Sequence, residues 1–196
     1  MTGLRVIAGK ARGRKLRSVP GSSTRPITDR VKESLFNIIG TDIQSAAILD
    51  LFAGTGGVGI EALSRGAAYA LFVDLDQQAV LTVRANLVST DLADRGDVRR
   101  IDAFTFLRGA PERPFDYVYI APPQYKGLWK KALLSLDAHP AWLTADAWVI
   151  VQIHPRETEP IELQNLVEFD RRQYGSTLLV FFQALPDGSK SPSPPL

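Results

Sequence analysis

Cysteine is absent from the 196 residues, methionine occurs once and histidine twice. Without thiols there is no disulfide framework, no thiolate zinc site and no cysteine nucleophile. His139 and His154 are each too isolated to suggest a metal site, and surface positions are expected for both. No apolar stretch approaches the roughly 20 residues that span a bilayer. The start, Met1-Thr-Gly-Leu-Arg5, lacks the charged-then-apolar layout of a secretory signal. Neither a membrane nor a metal is an expected partner, and the default location is the cytoplasm. What remains is 45% hydrophobic and 22% charged, which suits one packed α/β domain with a small appendage.

The net charge of +2 conceals a segregation. Residues 1–30 carry Arg5, Lys10, Arg12, Arg14, Lys15, Arg17, Arg25 and Arg30 against the single acid Asp29, an arm of +7 on a body of −5. Solubility does not require such an arrangement. A partner with a dense array of negative charge explains it, and nucleic acid phosphate is the obvious candidate.

Leu4–Ala8 and Arg14–Val19 read as two short strands around the turn-prone Gly9–Gly13, so residues 1–27 are expected to form a basic β-hairpin arm. From Thr28 the spacing becomes helical, with Val31, Leu35, Ile38 and Ile39 on one stripe, Thr28 or Asp29 as cap and Gly40 as stop. Strands are then expected at Ala46–Phe52, Tyr69–Val73, Asp97–Ile101, Phe115–Ile120 and Trp148–Ile153. Helices are expected between them at Gly57–Arg65, Gln77–Val88 (Val80, Val83, Leu87 and Val88 inward), Ala103–Leu107 and Leu128–Leu136. Near-continuous apolar strands alternating with amphipathic helices predict a parallel sheet covered on both faces. Leu166–Phe169 and Leu178–Gln183 have no strong helix between them, which predicts a terminal antiparallel pair. A main domain over 28–185 and a disordered, Pro- and Ser-rich tail over 186–196 complete the expected organisation.

Gly54, Gly56 and Gly59 form G-x-G-x-x-G between a strand and a helix, the spacing that permits a tight turn, close ligand approach and close helix packing. Asp74 stands 20 residues after Gly54 at a strand end, where a carboxylate suits the vicinal hydroxyls of a ribose. A dinucleotide is the commonest ligand of this pattern. Asp50 argues otherwise, because it puts a negative charge where a pyrophosphate would approach. A ligand whose near end is cationic fits better, and S-adenosylmethionine has an ammonium, a sulfonium and a ribose. The plainer role for Asp50 is to fasten the glycine loop by backbone hydrogen bonds. Asp102, with Ala103 beside it, is placed either to meet the adenine amino group or to cap the next helix.

Phe115–Ile120 runs into Ala121-Pro-Pro-Gln-Tyr125. This is similar to the [Asp/Asn/Ser]-Pro-Pro-[aromatic] motif of enzymes that methylate exocyclic amines of bases. There a side chain and the first proline's carbonyl accept the amine's hydrogens while the ring stacks on the base. Two fixed φ angles stiffen that carbonyl's direction, although the same pair also makes a rigid strand-ending turn.

Taken jointly, Arg5–Leu16, Arg25-Pro-Ile-Thr-Asp-Arg-Val-Lys-Glu-Ser-Leu-Phe-Asn37, Leu49-Asp-Leu-Phe-Ala-Gly-Thr-Gly56 and Glu61-Ala-Leu-Ser-Arg-Gly66 resemble the RsmD family over about residues 4–184. These are the 16S ribosomal RNA guanine-N2 methyltransferases that act on guanine 966. The resemblance implies an α/β fold of the class I S-adenosylmethionine-dependent methyltransferases. That fold is Rossmann-like, a seven-stranded, mostly parallel sheet with a small N-terminal β-hairpin. The resemblance also implies a donor site at Asp50, Phe52, Gly54, Gly56, Asp74, Asp102 and Ala103, with Arg25, Thr28, Arg30 and Glu33 lining the donor and base pocket. From spacing alone, Arg30 and Glu33 are equally a surface ion pair on a helix. The implied partner is 16S rRNA in the small ribosomal subunit or its assembly intermediate. Lys10, Arg12, Arg14, Lys15, Arg17 and Arg30 are the expected grips on phosphate, and Pro122, Gln124 and Tyr125 the expected base-aligning residues.

One departure stands out. Where the family has an acidic residue before Pro-Pro this chain has Ala121, and its aromatic is delayed one place by Gln124. Alanine accepts no hydrogen bond from an amine. Two competing classes follow: a catalytically weak, methyltransferase-like RNA-binding factor, and a methyltransferase for another rRNA or DNA base amine. A nicotinamide-dependent dehydrogenase is a third, disfavoured by Asp50 and the Pro-Pro turn.

Overall fold

The computed structural model describes residues 4–21 and 27–185; Arg25 and the 186–196 tail lie outside them. The chain forms two compact units, Met1–Ala103 and Phe104–Leu196.

In the first unit, α1 (Asp29–Ile39) starts where the sequence placed it. The Thr28 hydroxyl accepts from the Val31 amide, and Gly40 ends the helix at φ 66. Val31, Leu35, Phe36 and Ile39 are buried, with Ile38 half-buried. Strands β1 (Ala47–Leu51), β2 (Tyr69–Asp74) and β3 (Gly96–Arg100) lie side by side in the order β3-β2-β1, all parallel. Helices α2 (Gly57–Ser64) and α3 (Gln77–Ser89) connect them. Every residue of α2 is buried, and Gly59 explains how it lies so close: a Cβ there would meet the Phe72 ring of β2 at 2.3 Å. Along α3, Val80, Val83 and Leu87 face inward as expected, but Val88 is 72% exposed. Val88 is one residue past Leu87, a 100° step that carries it off the apolar stripe.

Helix α4 (Ala103–Leu107) begins on the last residue of the first unit, and the second unit continues with β4 (Phe115–Ile120), α5 (Leu128–Ala138), β5 (Leu143–Ile153), β6 (Leu166–Tyr174) and β7 (Thr177–Ala184). Their order is β4-β5-β7-β6; β4 and β5 are parallel, and β7 is antiparallel to both β5 and β6. The expected terminal antiparallel pair is therefore present and longer than its apolar cores indicated. Strand β5 also begins earlier than Trp148, with a register shift after Phe115↔Leu143 and Asp146 at φ 62. The buried Asp137 carboxylate at the end of α5 accepts from the Gln164, Asn165 and Leu166 amides and so fixes the start of β6.

The basic arm is a hairpin in course but not two strands. Among the described residues its one β-bridge is Arg5↔Lys15, flanked by Val6 N–H to Arg14 and Leu16 N–H to Leu4 bonds. The reason lies in where its amides go. Ile7 and Ala8 donate to the two oxygens of Glu61 at 2.8 and 3.0 Å, and Ala11 and Lys10 donate to Ser64. Donors engaged by α2 cannot also serve a β ladder.

Candidate functional site

The glycine loop follows β1 directly, and its backbone enters the left-handed region three times, at Phe52 (φ 69), Gly54 (φ 55) and Gly56 (φ 74). For phenylalanine that region is sparsely populated, so the turn is held by its surroundings. The Phe52 and Ala53 amides both donate to Val73 at 3.0 Å, and the Gly54 amide donates to Asp74 Oδ2 at 2.8 Å. Asp74 Oδ1 takes the Asp76 amide at 2.9 Å. One carboxylate at the end of β2 thus locks the loop while each oxygen keeps a second lone pair. Nothing occupies the space where a Gly54 Cβ would stand, within 4 Å.

Asp50 lies behind the loop, 2% exposed, and accepts from the Gly59 amide at 3.1 Å. That bond is the loop-fastening role its position allows. It does not satisfy a carboxylate. Burial pushes the Asp50 pKa up to about 7, the Gly59 bond opposing and the Asp74 charge adding to the rise. A buried acid so reluctant to ionise is suited to a cationic neighbour. With open space at Gly54 and a ribose-type acceptor at Asp74, the residues present fit S-adenosylmethionine.

Asp102 and Ala103 follow β3, Asp102 half-buried and immediately before α4. Thr28 is exposed with its hydroxyl engaged in the α1 cap. Arg30 and Glu33 are exposed on α1, and no ion pair joins them among the described residues.

The arm presents Lys10, Arg12, Arg14, Lys15 and Arg17 to solvent. Buried polar side chains on α1, α2 and α3, which local sequence pattern does not reveal, hold it in place. Glu61, fully buried, gathers the Ile7 and Ala8 amides, the Arg65 guanidinium at 2.8 Å and the Lys32 ammonium at 3.3 Å. Lys32 is itself 1% exposed; burial lowers its pKa and the Glu61 charge partly restores it. Asn86 of α3 accepts from Arg17 N–H and donates back to the Arg17 and Thr55 carbonyls. The signal in the sequence was Glu61 and Ser64, spaced i, i+3 on one helix face.

In the second unit, Ala121, Pro122 and Pro123 are half-buried after β4, and Gln124 and Tyr125 are exposed. Tyr125 sits at φ 61, its amide donating to Glu157 Oε1 at 2.7 Å and its ring 5.6 Å from that of His154. His154 is half-buried and structurally engaged rather than idle on the surface.

The family model described as conserved hypothetical protein 95 matches residues 4–183. The chain belongs to that family. YlbH of Bacillus subtilis (strain 168), provisionally named an rRNA methyltransferase, is 43% identical over 183 residues, 92% of this chain and 98% of its own. Ribosomal RNA small subunit methyltransferase D of Escherichia coli (strain K12) is 37% identical over 149 residues, 76% of this chain and 74% of its own. The resemblance to the RsmD family read from the motifs therefore stands. Among solved structures, the Escherichia coli chain yhhF, provisionally named a methyltransferase, superposes with a TM-score of 0.83 at 33% identity, covering 93% of this chain and 98% of that one. The family's fold is thus the α/β fold of the S-adenosylmethionine-dependent methyltransferases, with seven strands, mostly parallel. An RNA methyltransferase from Salinibacter ruber, solved with S-adenosyl-L-homocysteine, shares that fold at a TM-score of 0.65 and 14% identity, covering 87% of this chain and all of that one.

Proposed function

We propose that this protein transfers a methyl group from S-adenosylmethionine to the exocyclic N2 amine of a guanine in 16S ribosomal RNA, in the small subunit or its assembly intermediate. The observation that carries the reading is the donor loop, with the Gly54 amide tied to Asp74 and the protonation-prone Asp50 buried behind it. It occurs in a chain 37% identical to a named rRNA small subunit methyltransferase. With ribosomal RNA as substrate, the site of action is the cytoplasm.

When bound, the donor supplies a methyl group on a cationic sulfur, already activated for in-line displacement. The chain's own task is then alignment and exclusion of water. Asp74 takes the ribose hydroxyls, Asp102 and Ala103 the adenine, and Asp50 balances the cationic end. Phe52, Gly54 and Gly56 shape the turn, and Arg25 and Thr28 are the further donor contacts that the family resemblance implies. Guanine N2 is a poor nucleophile because its lone pair is delocalised into the ring. Accepting hydrogen bonds from its two hydrogens returns density to nitrogen. The Pro122 carbonyl takes one; with Ala121 unable to take the other, Gln124 is the acceptor in reach of the sequence motif, and Tyr125 supplies the stacking face. Lys10, Arg12, Arg14, Lys15, Arg17 and Arg30 hold phosphate without reading sequence.

The test is single-turnover transfer of labelled methyl to small subunits lacking the modification, followed by mapping of the modified base. Label on the N2 of a guanine is expected. Donor binding with no incorporation would favour the catalytically weak RNA-binding factor for which Ala121 speaks, and label on an adenine N6 would redirect the acceptor.

A further inference from the structure

Tyr125 combines two properties that rarely coexist. Its ring is open to solvent, 65% exposed, and its backbone is at φ 61, a region that bulky residues seldom occupy. Such a conformation persists only where neighbours over-determine it. Two neighbours do so, both at the turn after β5. Glu157 Oε1 accepts from the Tyr125 amide at 2.7 Å, and its Oε2 accepts from the His154 amide at 3.1 Å. One carboxylate therefore ties the loop after β4 to the turn after β5 through two charge-assisted bonds. The His154 ring lies 5.6 Å from the Tyr125 ring, tilted by 43°. His154 is fixed in turn, since its Nδ1 accepts from the Arg156 amide at 3.1 Å, leaving the proton of the neutral ring on Nε2. Pro155 between them opens the single 3-10 turn Pro155–Glu157 with its φ preset.

We propose that Glu157 and His154 are positioning residues for the acceptor base: they splint Tyr125 so that its exposed ring is a preorganised stacking face at the end of the Pro122–Gln124 run. The inference rests on the reading of the protein as a base-amine methyltransferase. Both Glu157 oxygens are engaged by backbone amides, one of them that of Tyr125, so the role assigned to it is to act through Tyr125. Preorganisation matters because a tyrosine free to leave this conformation would have to be reordered at each encounter with RNA. The arrangement also gives a purpose to the one-residue delay of the aromatic after Pro-Pro, since a left-handed residue at that place redirects the chain.

The experiment is a double-mutant cycle read in kcat/KM for rRNA, with donor Kd measured alongside. Glu157→Ala and Tyr125→Ala should each lower kcat/KM by roughly ten- to hundredfold, the range of one base–aromatic stack, with donor Kd unchanged. The double variant should be no worse than Tyr125→Ala alone, because Glu157 has nothing left to position. His154→Phe, which keeps a ring beside Tyr125, should recover part of what His154→Ala loses. Independent losses that add in the double variant overturn the proposal. A second measurement needs no substrate: hydrogen exchange at the Tyr125 amide should be slow in the wild type and faster by about tenfold or more in Glu157→Ala, which leaves that amide no acceptor. Equal exchange in both overturns the splint even in a fully active enzyme. A wild type that methylates no small-subunit rRNA, yet shows the exchange difference, overturns the functional reading and the base-positioning role with it, leaving the splint as folding geometry alone.

Discussion

Burial of Asp50 has a sign that stability measurements can read. Its native pKa of about 7 stands above the ordinary value of 3.8, so between those values the folded chain holds a proton that the unfolded chain releases. The associated stability is fully present below pH 3.8, declines as pH rises through about 7 and is flat beyond it. The whole span is worth on the order of 4 kcal/mol. Asp50→Asn, which keeps an acceptor for the Gly59 amide, should flatten that decline in thermal unfolding recorded without donor. In the wild type, donor binding at a pH just below that value should release a proton, because a cation beside the carboxyl favours its charged form. Calorimetry in two buffers of different ionisation enthalpy measures it, and a zero difference would confine Asp50 to fastening the loop. Position 121 carries the second prediction at this scale. A hydrogen bond to a charged acceptor is worth about 1.5–3 kcal/mol, so Ala121→Asp should raise single-turnover methylation of guanine by about tenfold or more. A fall would mean that Gln124 and Pro122 are aligned for a site in which a carboxylate has no room.

At the scale of elements, the parts legible in the sequence are those whose partners are close by along the chain. The apolar runs that form β1, β2, β4 and the core of β5, and the caps at Thr28 and Gly40, follow from local pattern to within a residue or two. The arm was not legible in the same way. Its Ile7 and Ala8 amides are claimed by Glu61, more than fifty residues later, and Lys32 looks like a surface residue until Glu61 is placed beside it. Tyr125 and Glu157 present the same problem across thirty-two residues. The docked arm yields a sharp prediction at Gly9. Its φ is +81, and a Cβ there would lie 1.9 Å from the Ser64 carbonyl oxygen, which cannot move without unwinding the end of α2. Gly9→Ala should therefore lift the arm, exposing the Arg5–Arg17 segment to trypsin and removing protection from the Ile7 and Ala8 amides in hydrogen exchange, at a cost of about 1–3 kcal/mol. Gly13→Ala, with the same positive φ but open space around it, should cost less and leave the arm docked.

For the molecule as a whole, the decisive quantity is the separation of +7 over residues 1–30 from −5 over the remainder. Its docking turns a string of cations into a fixed surface, since Glu61, Ser64 and Asn86 hold the backbone while Lys10, Arg12, Arg14, Lys15 and Arg17 face water. A fixed array loses less entropy on meeting RNA than a flexible one, but its electrostatic term is still the release of counterions. The affinity for rRNA should accordingly fall steeply with salt. Replacing Arg12, Arg14 and Lys15 together by alanine should weaken binding and flatten the plot of log affinity against log salt by about 0.7 to 0.9 for each phosphate no longer neutralised. Gly9→Ala keeps every charge and should weaken binding at all salt concentrations with a nearly unchanged slope. The pair separates the two contributions: a slope unmoved by the triple substitution would remove the arm from the RNA interface, whereas affinity unmoved by Gly9→Ala would show that charge alone, without docking, is what the RNA requires.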